Sequence, residues 1–229
     1  MFNGVGTVVN GQKGIYISQI EVIGADEFSV SKDNIVEIQL LKPNGSTDKV
    51  YGYHKGDTNR SFKNKGDGWF NDSNERCVDD KDVFIPLGQG LWVNGKSVNY
   101  KFVSSGEVEQ DTVQDDLTAN FRMLSNPYPT DIKISQIEVT GDDEFSVSKD
   151  NIVEIQLLKP NGSTDKVYGY HKGDTNRSFK NKGDGWFNDS NERCVDDKDV
   201  TIPAGTAMWV NGKSADYKLK IVTPFEDAE

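Results

Sequence analysis

Apolar residues in this chain come in short alternating runs. Val36, Ile38 and Leu40 interleave with Glu37 and Gln39, the period-two pattern of a strand with one buried face. Lys42-Pro43-Asn44-Gly45-Ser46 then supplies turn chemistry, so residues 47–54 are predicted to return antiparallel with Tyr51 and Tyr53 on one face. Upstream, Ile15 and Ile17 share one parity and Ile20 and Val22 the other, and the switch at Ser18-Gln19 reads as a bulge or a change of sheet. Downstream, Val83 and Ile85 alternate and Leu91-Trp92-Val93 leads into Asn94-Gly95. Val98, Tyr100 and Phe102 follow at period two, which predicts a second hairpin. No window keeps apolar residues at i, i+3, i+4 and i+7 for two turns, so the expected class is all-β.

The same pattern occurs twice. Residues 26–83 recur letter for letter as residues 143–200, and a looser match extends from Ile15 to about Lys101 and from Ile132 to about Lys218. A period this long is a whole small domain rather than a solenoid turn. The expected organisation is two homologous antiparallel β-sandwich or barrel domains, residues 1–106 and 132–229, joined by residues 107–131. That joining segment is not a plain linker: Leu117, Ala119, Phe121 and Met123 alternate as in a strand, Val108 and Val113 suggest another, and Asn126-Pro127-Tyr128-Pro129 reads as a rigid turn.

Composition narrows the function classes. The 229 residues are only 34% hydrophobic, with 22 glycines and 10% aromatics, which suits short strands, long polar loops and a core filled largely by rings. A formal net charge of -11 repels polyphosphates, so nucleic acid is not expected as a partner. The chain carries no apolar run long enough for a membrane span and no hydrophobic leader at its first residues, so membrane insertion is not expected. Cys77 and Cys194 occupy equivalent places, one per copy, which rules out a disulfide within either copy and favours two inert thiols.

Catalytic chemistry finds little to work with. His54 and His171 occur once per copy, no Gly-x-Ser-x-Gly elbow is present, and Cys77 sits among carboxylates that oppose thiolate formation. No enzyme is expected, and no cofactor. Calcium is a weaker alternative to solvated turns: Asp57, Asn59 and Ser61 alternate as in a cation loop, and Asp67, Asn71, Asp72, Asn74 and Glu75 form a second oxygen-rich run. However, Phe62 stands where an EF-hand loop needs glycine, and no dedicated metal ligands emerge. Sugar binding by β modules relies on aromatic rings that stack on a pyranose, with polar side chains on its hydroxyls. Tyr51, Arg60, Asp67, Trp69, Phe70 and Asn71 fit that description, as do Tyr168, Arg177, Asp184, Trp186, Phe187 and Asn188. The competing reading is that Trp69 and Trp92 fill a core short of Leu and Ile.

The two copies differ mainly near their last strands. Phe84 stands against Thr201 and Leu87 against Ala204, and the parity of Val83 and Ile85 points Phe84 outward. An outward Phe in one copy alone suggests a covered surface there, with the joining segment or the second copy as cover, so Phe84 and Leu87 are expected at an interdomain contact.

Gly-Asp-Gly-Trp-Phe at 66–70, Val-Phe-Ile-Pro-Leu-Gly-Gln-Gly-Leu-Trp-Val at 83–93 and Asn-Pro-Tyr-Pro at 126–129 resemble repeat modules of large secreted or cell-surface bacterial proteins. The resemblance covers most of each copy and carries no catalytic signature; it implies location and architecture, extracellular or at the cell surface, rather than an activity. The expected function is a non-enzymatic structural or adhesive repeat. The alternatives are a carbohydrate-binding module using the loop aromatics and a self-assembling fibre or surface-layer subunit, with glycans or other copies of the chain as partners.

Overall fold

The computed structural model describes residues 4–5, 7–24, 36–42, 44, 46–54, 65–95, 100–104, 107–117, 119–141, 153–171, 182–213 and 217–225. Among these the chain is all-β, with several antiparallel sheets, no closed barrel, and three-residue 3-10 turns as the only helical elements. It divides into two units, the first ending at Glu109 and the second running from Gln110 onward.

In unit 1 the hairpin read from residues 36–54 forms as Val36–Leu41 against Thr47–His54, with Ile38 opposite Tyr51 and a bulge between Leu40 and Leu41. Gly68–Phe70 extends this sheet on one side and Trp92–Gly95 on the other. A second sheet pairs Glu21–Ile23 with Lys101–Val103, and a third carries Thr7–Val9, Gln12–Tyr16 and Phe84–Pro86. Ile15, Ile17, Ile20, Val22, Val36, Ile38, Tyr51, Trp69 and Ile85 come from all three sheets and pack into one core. Alternating apolar positions thus find their buried face without any one strand being apolar throughout.

The parity switch at Ser18-Gln19 is a change of sheet, made by a 3-10 turn over Ile17–Gln19. Gln19 Oε1 accepts the Tyr16 N–H at 2.7 Å, and the carboxylate of Asp82 accepts from the Ser18 N–H and hydroxyl. These bonds close the turn, so Ile17 and Ile20 both reach the core although their spacing is wrong for one strand.

One expectation changes. Asn94-Gly95 closes no hairpin: Gly95 is still in the ladder opposite Val36, while Lys101–Val103 pairs with Glu21–Ile23 in the other sheet. The reason lies in the core. Phe102 stacks on Trp69 at 6.1 Å between centroids, which it does from the second sheet rather than from a strand beside Trp92–Gly95. The joining segment does form strands around Val108, Val113 and Phe121, as its alternation predicts. Glu107–Val108 pairs with Gly4–Val5 in unit 1, whereas Val113–Asp116 and Phe121–Ser125 are strands of unit 2, paired with Tyr217–Ile221 and Ala207–Asn211. The strand begins at Phe121, so Ala119 lies before it, and Leu117 is held by its N–H donating to the Tyr217 carbonyl at 2.9 Å.

Unit 2 repeats the architecture with these strands added. Its main sheet runs Phe121–Ser125, Ala207–Asn211, Val153–Leu158, Thr164–His171, Gly185–Phe187, and its second sheet Val113–Asp116, Tyr217–Ile221, Ile137–Gly141. Leu117, Leu124 and Tyr128 from the joining segment enter its core. Tyr128 is fully buried and its hydroxyl donates to the Ile221 carbonyl at 2.8 Å, with the Asp111 carbonyl at 2.9 Å. Asn126, equally buried, spans Thr130, Ile202 and Pro203 through its amide and accepts the Tyr128 N–H.

The outward Phe84 is half-buried, and within unit 1 its ring has neighbours. Its ring meets Tyr16 edge-on at 5.7 Å, directly across the strand pair. It also lies over Gly14, where an added Cβ would come within 2.6 Å of the Phe84 ring and would strike the Ile85 carbonyl, so glycine is what lets the ladder continue to Pro86. In unit 2 the same cross-strand position holds Lys133, whose ammonium donates to the Thr201 hydroxyl at 2.8 Å. The two members of the pair have changed together, aromatic with aromatic and polar with polar, as cross-strand neighbours on an exposed face should. Leu87 is likewise held within unit 1, its N–H donating to the Lys13 carbonyl at 2.8 Å, while Ala204 donates to the Asp131 carboxylate.

Candidate functional site

Of the aromatic and oxygen-rich residues singled out from the sequence, those among the described residues lie in or beside the short strand Gly68–Phe70 or Gly185–Phe187 and the loop after it. Their exposure differs from what a sugar platform needs. Trp69 is 1% exposed, Phe70 1% and Tyr51 2%, and Trp186, Phe187 and Tyr168 are each 2% exposed. The Trp69 indole N–H donates to the Ile20 carbonyl at 2.8 Å, and that of Trp186 to Ile137 at 2.7 Å. Each indole is flanked edge-on by a tyrosine, Tyr53 at 5.4 Å and Tyr170 at 5.3 Å. The ring faces required for stacking on a pyranose are therefore inside the core. The physical reason is that a strand, not a loop, carries this tryptophan inward, where its ring packs among the aliphatic side chains of the core.

Above the buried rings the loop is tied by its own polar groups. Asn71 Oδ1 accepts the N–H of Ser73 at 3.0 Å and of Glu75 at 2.9 Å. The Glu75 carboxylate pairs with Lys81 at 3.0 Å, and this bond, followed by one from Asn71, holds it below the usual glutamate range. Lys65 donates to the Asn74 carbonyl at 2.9 Å. The Arg76 guanidinium lies flat on the backbone at Gly68, where φ is +149° and an added Cβ would come within 3.1 Å of Arg76 Nε. The positive φ calls for glycine there, and a side chain would also need Arg76 to shift by a few tenths of an ångström. Unit 2 repeats each of these contacts, with Asn188, Glu192, Lys198, Lys182 and Arg193. An open cleft of about 560 Å³ lies against Lys182, Glu192, Arg193, Asp196 and Lys198, a wall of mixed charge in which Lys198 and Glu192 neutralise each other.

Asp67 and Asp184 are exposed at the start of the same segment, and Arg60 and Arg177, like Asp57, Asn59 and Ser61, lie outside the described residues. Among the described residues no three His, Cys, Asp or Glu side chains converge as metal ligands would. No helix among them is long and apolar enough to cross a membrane.

The remaining reactive groups are buried and quiet. Cys77 and Cys194 are free thiols, 2% exposed, and burial followed by the charge of Asp82 or Asp199 pushes each up to about 11. Both stay protonated near neutrality and neither is a nucleophile there. We expect the native protein to resist a thiol-specific reagent at neutral pH and to label at both positions once unfolded in urea; fast labelling of the native protein would contradict this placement. His54 and His171 are 4% exposed, packed edge-on against Phe70 and Phe187 at 5.5 and 5.6 Å, and burial lowers each to about 4.

What sequence reasoning missed is structural in character. Arg76 and Arg193 are not among the residues singled out from the sequence, yet each side chain lies close to the backbone of a glycine pair; the Gly-x-Gly spacing at 66 and 68 was the available signal. Asn126 and Tyr128 read as a rigid turn, and only the fold reveals that they plug a core. Compared with protein-family models, curated proteins and solved structures, the chain matches none.

Proposed function

We propose that the chain is a non-enzymatic structural repeat, two sandwich-like β modules in tandem that act as a spacer outside the cell or on its surface. The observation that carries this reading is how the duplicated block uses its identity. Trp69, Phe70, Tyr51 and their second copies, the residues best suited to holding a ligand, are buried, and each indole N–H donates to a backbone carbonyl inside its unit. The polar loop residues beside them bond to one another and hold turns in shape. A block repeated for architecture is expected to look like this: the residues kept in common set strand pairing, ring packing and loop closure. The sequence resemblance to secreted repeat modules supports the location.

The test is ligand binding by the intact chain. On a glycan array and in affinity electrophoresis through polysaccharide gels we expect no retention, and millimolar calcium should leave the thermal midpoint where a chelator leaves it, since a ligand held only by the native state must raise it. Saturable binding to any glycan class would replace the spacer reading with that of a carbohydrate-binding module.

A further inference from the structure

The two units share their core sequence but are not equally closed. Val93 and Val210 are the same residue at the same point of the same ladder, opposite Ile38 and Ile155 respectively. Both valines are on the core side of their sheets, yet Val210 is 0% exposed and Val93 is 41% exposed. The difference extends beyond one site. Every exposed large apolar side chain among the described residues, Val8, Ile23, Val78, Val93, Val103 and Val108, belongs to unit 1.

The cause is visible in the sheet order. In unit 2 the strand Phe121–Ser125 lies along the outer edge of Ala207–Asn211, placing Phe121 opposite Asn211, Met123 opposite Trp209 and Leu124 opposite Met208. Met123 and Leu124 are 1% and 3% exposed, and Phe121 meets Trp209 edge-on at 6.4 Å. In unit 1 the equivalent edge strand is Trp92–Gly95, and it ends the sheet: among the described residues no strand pairs with its outer side. The residues that stand in the place of the covering strand by the repeat offset, 4–8, are engaged elsewhere, Gly4–Val5 with Glu107–Val108 and Thr7–Val9 with Gln12–Tyr16. An unpaired edge with apolar side chains beside it is a template for another strand, because its N–H and C=O groups are already aligned and the added strand buries the exposed apolar surface as well.

We propose that the outer edge of Trp92–Gly95 accepts an extended strand from a separate polypeptide that carries the side-chain pattern of Phe121–Ser125, closing unit 1 as that strand closes unit 2. The register is fixed by the second copy: an aromatic residue opposite Asn94 leaning on Trp92, a long side chain like that of Arg122 opposite Val93, an unbranched apolar residue opposite Trp92, and a leucine opposite Leu91. This goes beyond the spacer reading, which turns on glycan binding and is tested separately.

The probe is a fluorescein-labelled synthetic peptide of residues 119–126, which contains the strand Phe121–Ser125, titrated into the full chain and followed by anisotropy and by amide hydrogen exchange. We expect saturable binding, with exchange slowed at least tenfold at the Trp92–Gly95 amides and unchanged at Ala207–Asn211. Val93→Lys, at a position now partly open to solvent, should abolish binding with the circular dichroism spectrum unchanged. A peptide with Met123→Asp and Leu124→Asp should fail against the unaltered protein, a control that does not depend on any protein variant folding. The proposal is overturned by the absence of saturable binding, by equal binding of the Asp-bearing peptide, or by protection at Ala207–Asn211 in place of Trp92–Gly95. It is equally overturned if the chain alone dimerises through this edge, lost in Val93→Lys, since the occupant is then a second copy.

Discussion

Trp69→Ala should destabilise unit 1 by about 3–5 kcal/mol, the range for emptying a buried large ring. The indole fills space that Tyr53, Phe102 and the Ile20 backbone enclose, and none of these can collapse into the gap without leaving its own strand. Truncation also leaves the buried Ile20 carbonyl without the donor it has now. Trp69→Phe isolates that second loss: most of the volume stays, the N–H goes, and the expected cost is about 1–3 kcal/mol. Since single domains of this size have only about 5–15 kcal/mol in total, Trp69→Ala brings unit 1 near or past its unfolding threshold at ordinary temperature. Urea unfolding followed residue by residue in amide NMR spectra reads unit 1 apart from unit 2, and Trp186→Ala gives the matching loss in unit 2. A midpoint for unit 1 within error of the unaltered protein would show that Trp69 is not what holds this core together.

The second large effect is acid destabilisation, expected to begin well above the carboxylate range. His54 and His171 have pKa values lowered by burial to about 4, against about 6.5 in an unfolded chain. Below about pH 6.5 the unfolded state takes up protons that the folded state refuses. The stabilisation from these neutral rings is therefore complete above pH 6.5 and is lost as pH falls through 6 and 5 towards 4. Each histidine contributes about 1–3 kcal/mol across that window. Glu75 and Glu192, held low by Lys81 and Lys198, act in the same direction but only at lower pH, where free glutamates protonate. Unfolding free energies at pH 7 and pH 5 should show a marked fall, reduced in a His54→Gln, His171→Gln double variant. NMR titration should find both imidazoles neutral at pH 5.5. Imidazoles titrating near 6.5, or equal stability at the two pH values, would contradict their burial.

The fold and the candidate site were legible to different degrees. The hairpin of Val36–Leu41 and Thr47–His54 could be read directly, because strict alternation on both arms leaves one register that buries Ile38 and Tyr51 together. The switch at Ser18-Gln19 was legible as a break in parity, though not as a 3-10 turn, since its closure depends on Asp82, far along the chain. The Asn94-Gly95 signal misled because local turn chemistry competes with a distant demand, the need for Phe102 on the opposite side of Trp69. Trp69 itself was ambiguous: polar neighbours on both sides look like a loop, and a three-residue strand is too short to establish a period. Burial settled it, through the partners that surround the ring in space.

From residue order alone came the duplication, the all-β class and the phase of each long strand. Those follow from local patterns, since period-two alternation and internal identity need no knowledge of what lies across the core. The tertiary structure alone decided which copy receives the joining strands, which valine of an identical pair is covered, and whether an aromatic cluster faces water. Each of those depends on pairing between segments far apart in the chain, where the free energy is gained by excluding water from both partners at once and is encoded in neither partner by itself.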